Sequence, residues 1–92
     1  MDREEIFGVV KANMQAIIEG ARGKNIRETN SMRDFGADSL EIVEVVSRSM
    51  KHLRIKVPRA QLLGVENLGD LVDAFERAAN RAPAIAQSYE PL

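Results

Sequence analysis

The stretch Gly36-Ala37-Asp38-Ser39-Leu40-Glu41-Ile42-Val43-Glu44-Val45-Val46 decides how this chain folds. Asp38 is followed three residues later by Glu41, a capping-box signal with Asp in the Ser/Thr role. It predicts a helix that opens at Asp38 or Ser39 and, from the apolar spacing, ends near Leu53. With Leu40 set at zero on a helical wheel, Ile42, Leu53, Val46, Met50 and Val43 fall between about 200° and 300° and are the predicted core face. Leu40, Lys51, Glu44, Arg48 and Glu41 fall between about 0° and 100°, on the predicted water-facing side. Leu40 is thus a large apolar residue on a charged face, beside the helix start. A single exposed Leu is ordinary, and the pattern alone leaves its role open.

Working outward, Ile6, Val10, Met14 and Ile17 recur at helical spacing and predict a first helix over Asp2–Glu19, ended by Gly20. Asp2, Glu4 and Glu5 lie at its positive dipole end. Residues 20–38 read as a long loop that is expected both to pack its few apolar residues (Ile26, Met32, Phe35, Ala37) onto the helices and to serve function. After the second helix, Ile55-Lys56-Val57 alternates like a strand but lacks an evident partner, so an extended connector is expected. Pro58 and Gly64 bracket a short helix over Arg59–Leu63. A last helix is expected over Leu68–Asn80, capped by Asn67, with Leu68, Leu71, Val72 and Phe75 on its buried face. The stretch from Arg81 on holds two prolines and no periodicity, so a frayed tail is expected there, with Tyr89 unimportant. The predicted fold is all-α: a small antiparallel bundle of three main helices plus one short helix, with a long loop after the first.

Composition narrows the function. Ninety-two residues suit one domain, and the four aromatic residues (Phe7, Phe35, Phe75, Tyr89) require an aliphatic core. A net charge of −1 argues against whole-chain attraction to nucleic acid or an anionic membrane. With no Cys and one His, disulfides, thiol catalysis and a metal site are not expected. No run of about 18 apolar residues exists to span a membrane. The acidic start lacks a signal peptide's order, so a cytoplasmic chain is expected. His52 reads as a surface or dipole-stabilising residue, and Met14, Met32 and Met50 as fillers of core gaps.

Ser39 opens the second helix. A Ser there is readily explained as a residue tolerated next to a cap. The alternative is a modified hydroxyl: unpaired N–H groups and the positive dipole end favour a phosphodiester at this position, and Gly36 lets the chain turn tightly beside it.

The segment Phe35-Gly36-Ala37-Asp38-Ser39-Leu40-Glu41-Ile42-Val43-Glu44-Val45-Val46 resembles the attachment motif of acyl carrier proteins, in which a Ser before Leu bears 4′-phosphopantetheine. Ser31-Met32-Arg33-Asp34-Phe35-Gly36 resembles the family's approach to that motif. Ile55-Lys56-Val57-Pro58 resembles its hydrophobic-x-hydrophobic-Pro element, and Asn67-Leu68-Gly69-Asp70-Leu71 the start of its last helix. The resemblance spans residues 4–78. It implies an acyl carrier domain over residues 1–80, followed by the disordered C-terminal tail that composition predicts over 81–92. It also implies that a phosphopantetheinyl transferase moves the arm from coenzyme A to Ser39, and that acyl groups ride on the arm's thiol as thioesters. The protein is then not an enzyme but a cytoplasmic monomer that presents cargo to a ketosynthase, an acyltransferase or other acyl-processing enzymes.

In this family partners dock on the second helix and the loop before it, which carries over to Asp38, Leu40, Glu41 and Glu44. There is a departure at Arg48, Lys51, His52 and Arg54, where fatty-acid carriers of bacteria stay acidic. A basic helix end is explained by the dipole and by a Glu44–Arg48 pair at i, i+4. Alternatively, Arg48 and Lys51 belong to an interface for a different set of partners. The departure points to a discrete carrier of polyketide biosynthesis, with fatty-acid synthesis as the alternative. Met1 directly before the first helix favours a free-standing protein over a domain of a larger synthase. The rival from another class is a helical interaction module with Ser39 unmodified.

Overall fold

The computed structural model describes the backbone of residues 2–89 and the side chains of residues 2–80. Four helices follow in order, with no strand among the described residues: α1 (Arg3–Ile17), α2 (Ser39–Leu53), α3 (Arg59–Leu62) and α4 (Leu68–Tyr89). The all-α bundle read from the sequence is the fold observed.

α1 opens where the Asp2 carboxylate accepts the Glu5 N–H at 2.8 Å. One residue per turn (Ile6, Val10, Met14) is buried against the rest of the bundle. The helix stops at Ile17, two residues earlier than the sequence suggests, because Ile18 leaves the helical path to enter the core in extended conformation. A 3₁₀ turn over Glu19–Ala21 follows, and a second one over Met32–Phe35 packs against it. Gly20 makes that approach possible: a Cβ there would collide with the Phe35 carbonyl oxygen. The long loop between α1 and α2 is therefore packed, with Ala21, Ile26, Met32 and Ala37 all buried.

The loop also completes the start of α4. The first N–H groups of any helix lack partners within it. Here Leu68 donates to the Asn30 carbonyl and Gly69 to the Glu28 carbonyl, each at 2.8 Å. Asn67 caps the helix, its Oδ1 accepting the Asp70 N–H at 2.8 Å. Arg3 fastens the same region: its guanidinium donates to Glu28 at 2.7 Å, to Glu76 at 2.9 Å and to Asp73. Those hydrogen bonds, with Glu28 first, hold the Arg3 pKa well above its ordinary value. The loop, α1 and α4 are thereby joined by one side chain.

α2 has the predicted limits but not the predicted phase. Its fully buried residues are Val45 and Ser49, with Leu53 close behind. Val46 and Met50 are half-buried and Val43 is 59% exposed, so Val43 does not belong to the core. The core face is turned by roughly 70° from the arc expected of the apolar residues alone. The cause is a polar pair. Ser49 sits on the buried face because Asn13 of α1, itself buried, donates to its hydroxyl at 3.1 Å.

Arg54 adopts the left-handed conformation (φ 55°) and ends α2. Ile55 and Val57 then bury their side chains while Lys56 points out, as expected of the extended connector. α3 is a single turn after Pro58. α4 buries Leu68, Leu71, Val72 and Phe75, with Phe75 the largest fully enclosed side chain. The helix continues past Asn80, where the sequence suggested an end, to Tyr89. The tail expected over residues 81–92 falls in this extension and in residues 90–92, which lie outside the described residues.

Candidate functional site

Three features fix the start of α2. Gly36, in the left-handed region at φ 84°, ends the 3₁₀ turn and redirects the chain. Ala37 enters the core and anchors the redirected segment. Asp38 and Glu41 then form the reciprocal capping box: the Glu41 N–H donates to Asp38 Oδ1 at 2.8 Å, and the Asp38 N–H donates to Glu41 Oε1 at 3.0 Å. The cap role falls to Asp38, which leaves the Ser39 hydroxyl without structural work. Ser39 is exposed, the first residue of the helix, and accepts a long contact from Arg33 Nη2 at 3.4 Å.

The approach is organised in the same way. Ser31 and Asp34 make a second capping box around the 3₁₀ turn. The Ser31 N–H donates to Asp34 Oδ2 at 2.9 Å, and with Asn30 this holds the Asp34 carboxyl below the usual carboxylate range. Arg33 projects from that turn towards Ser39. The chemistry of the sequence motif did not single out Arg33; the available signal was a lone basic residue in the otherwise acidic run Asp34, Asp38, Glu41.

Of the residues expected to meet partners, Leu40 is 77% exposed and has no place in the core. Glu44, Arg48 and Lys51 are exposed along the same helix, and Glu44 pairs with Arg48 at 3.3 Å. Asp38 and Glu41 are engaged in the cap yet remain at the surface. His52 is exposed, with Nδ1 at 3.2 Å from Asn13 Nδ2. Two further large apolar side chains reach solvent that the motif did not mark, Val43 on α2 and Leu63 after α3, at 59% and 80% exposure. Between them an apolar depression of about 460 Å³ opens, walled by Met32, Ile42, Val46, Met50, Leu62 and Val65. It shares Met32, Ile42, Val65 and Leu71 with a smaller depression of about 260 Å³ whose lining includes Arg33.

The residues fit a covalent prosthetic group: a solvent-accessible hydroxyl, released from capping by its neighbour, on a rigidly built turn. Among the described residues no helix is long and apolar enough to cross a membrane.

Comparison with known proteins agrees with this geometry. The sequence profile of the family described as "Phosphopantetheine attachment site" matches residues 15–75. The chain is 30% identical to the polyketide biosynthesis acyl-carrier-protein AcpK of Bacillus subtilis over 75 residues, 82% of this chain and 92% of that protein. It is 32% identical to the acyl carrier protein of Thermotoga maritima, over 82% of this chain and 93% of that one. Its fold superposes with a TM-score of 0.74 and 29% identity on a chain from the crystal structure of the curacin biosynthetic pathway HMG synthase in complex with acetyl donor-ACP, covering 86% of this chain and 99% of that one. The chain therefore belongs to the phosphopantetheine-binding acyl carrier proteins, which are carriers rather than catalysts and bear covalent 4′-phosphopantetheine on a serine.

Proposed function

We propose that Ser39 bears the phosphopantetheine arm and that the chain is a carrier of polyketide biosynthesis. The observation that carries the first part is the division of labour at the start of α2. Asp38 and Glu41 satisfy the cap, while the neighbouring Ser39 hydroxyl faces solvent with only Arg33 beside it. A phosphopantetheinyl transferase can reach that hydroxyl, and removing it costs the fold little. When bound, the arm supplies a terminal thiol that holds acyl groups as thioesters. The chain's own residues supply the nucleophilic hydroxyl, a surface for partners and an apolar groove suited to an acyl cargo. Asp38, Leu40, Glu41 and Glu44 form the docking surface near the arm, with Arg48 and Lys51 extending it.

The polyketide assignment is supported by the likeness to AcpK and to the acetyl donor-ACP, together with the basic end of α2. The partners are then acyl-processing enzymes such as a ketosynthase, an acyltransferase or an HMG synthase, met by a monomeric carrier. Fatty-acid synthesis is the second reading, since the likeness to the acyl carrier protein of Thermotoga maritima has similar identity and names no polyketide pathway. Intact mass after incubation with coenzyme A and a promiscuous transferase tests the attachment: a gain of one arm, mapped to Ser39, is expected. Acetyl-loaded protein offered to an HMG synthase and to a fatty-acid ketosynthase tests the pathway. Transfer to the first and not the second is expected; the reverse preference assigns the chain to fatty-acid synthesis.

A further inference from the structure

We infer that Arg33 is a positioning residue for the arm: its guanidinium grips the phosphodiester formed on Ser39 and sets the direction in which the arm leaves the protein. This rests on Ser39 being the attachment site. Arg33 Nη2 already lies 3.4 Å from Ser39 Oγ, the atom that becomes an ester oxygen of the phosphate. The non-bridging phosphate oxygens are bonded to the same phosphorus, within easy reach of the guanidinium fork, whose geometry matches phosphate.

The local charges favour this pairing. Three carboxylates surround Ser39 in sequence, and each is already engaged. Asp34 accepts from the Ser31 N–H at 2.9 Å, Asp38 from the Glu41 N–H at 2.8 Å, and Glu41 from the Asp38 N–H at 3.0 Å. None forms an ion pair with Arg33 among the described residues. Among the described residues Arg33 is thus a cation without a carboxylate partner, set among acidic neighbours. Attachment of the arm adds one more negative charge to that acidic cluster. Arg33 is the cation placed to offset it. Because Arg33 also lines the smaller depression with Met32 and Ile42, gripping the phosphodiester starts the arm towards that depression rather than out over the acidic first turn.

The test uses the full chain with the arm attached by coenzyme A and a transferase, and attachment verified by intact mass. In the wild type, attachment should shift the Arg33 Nε–Hε NMR signal and slow its exchange with water several-fold. Both effects should fade between about 0.05 M and 0.5 M salt, as expected of a surface ion pair. In Arg33→Gln the ³¹P signal should move to the position of a free phosphodiester and lose its salt dependence, and Arg33→Lys should restore part of it. Amide spectra outside residues 31–41 should be unchanged in both variants, which separates this role from a structural one. Wild-type protein of confirmed arm mass whose Arg33 signal and ³¹P shift match those of the unmodified chain and of Arg33→Gln would overturn the inference alone. Failure to gain the arm, or attachment at another residue, would instead remove the attachment reading and this inference with it.

Discussion

The first turn of α2 is fixed by contacts that span three residues in sequence, between Asp38 and Glu41. Its last turns are fixed by contacts that span 36 and 39, from Asn13 to Ser49 and His52. The first kind of contact closes on itself, so the helix start can be rigid while Asp38, Ser39 and Leu40 stay exposed. That is what a modifiable hydroxyl requires. The second kind docks the helix onto α1 and decides which side faces inward. One element thus divides its work: a locally capped, exposed start, where we propose the arm is attached, and an anchored end.

The sharpest way to break this division is to remove the hydroxyl it presents. Ser39→Ala is expected to abolish arm attachment while changing stability by less than about 1 kcal/mol, because the cap belongs to Asp38. Intact mass and urea denaturation of the same sample measure both. A variant that still gained the arm would move the site, and one that unfolded would give Ser39 a structural role after all.

The anchoring end should show the opposite profile. Val45→Ala removes fully buried apolar volume and is expected to cost about 1–3 kcal/mol, near the upper part of that range. Val46→Ala, at a half-buried position, should cost about half as much. Equal denaturation midpoints for the two would return the core face to the phase that the apolar pattern suggests. Asn13→Ala is expected to cost about 1–3 kcal/mol, since it leaves the buried Ser49 hydroxyl without its α1 partner. None of the three substitutions should alter the amount of arm attached to the folded protein.

The same contrast explains what could be read from the sequence. The start of α2, the caps at Asp2 and Asn67 and the left-handed Gly36 are local devices whose partners lie a few residues away. The capping residues are visible as residue types at fixed spacing. The phase of α2 was not visible, because Ser49 reads as a surface residue until Asn13 arrives from another helix to satisfy it. For the same reason the loop of residues 20–38 looked irregular. Its order depends on Gly20 meeting Phe35 and on carbonyls that complete α4, neither of which has a sequence period. Arg33 escaped notice because its closeness to Ser39 depends on the turn at Gly36. The last helix was expected to end before Pro83, a residue that removes a helical hydrogen bond, yet the helical backbone passes through it to Tyr89.

The smallest expected effects concern docking, where the two ends of α2 are again set against each other. Glu44 lies one turn past Leu40 and faces solvent, half tied to Arg48 by an exposed pair worth no more than about 0.5 kcal/mol. Reversing its charge should therefore leave the fold intact. It should slow acyl transfer to a partner enzyme by a few-fold, mainly through weaker association, since exposed charges act chiefly on encounter. The loss should shrink as salt is raised past the point where the screening length falls to about 8 Å. Lys51→Glu distinguishes two roles for the basic end. If that end only complements the helix dipole, the variant loses a few tenths of a kcal/mol of stability and transfers at the wild-type rate. If it belongs to the docking surface, its transfer rate falls as far as that of Glu44→Lys, with the same salt dependence. The second outcome is expected, because Arg48 and Lys51 continue the exposed side that begins at Leu40. Transfer kinetics of wild type and both variants, at low and moderate salt, read the difference directly. Equal, salt-independent rates for all three would take α2 out of the docking surface and leave it only the proposed role of bearing the arm at Ser39.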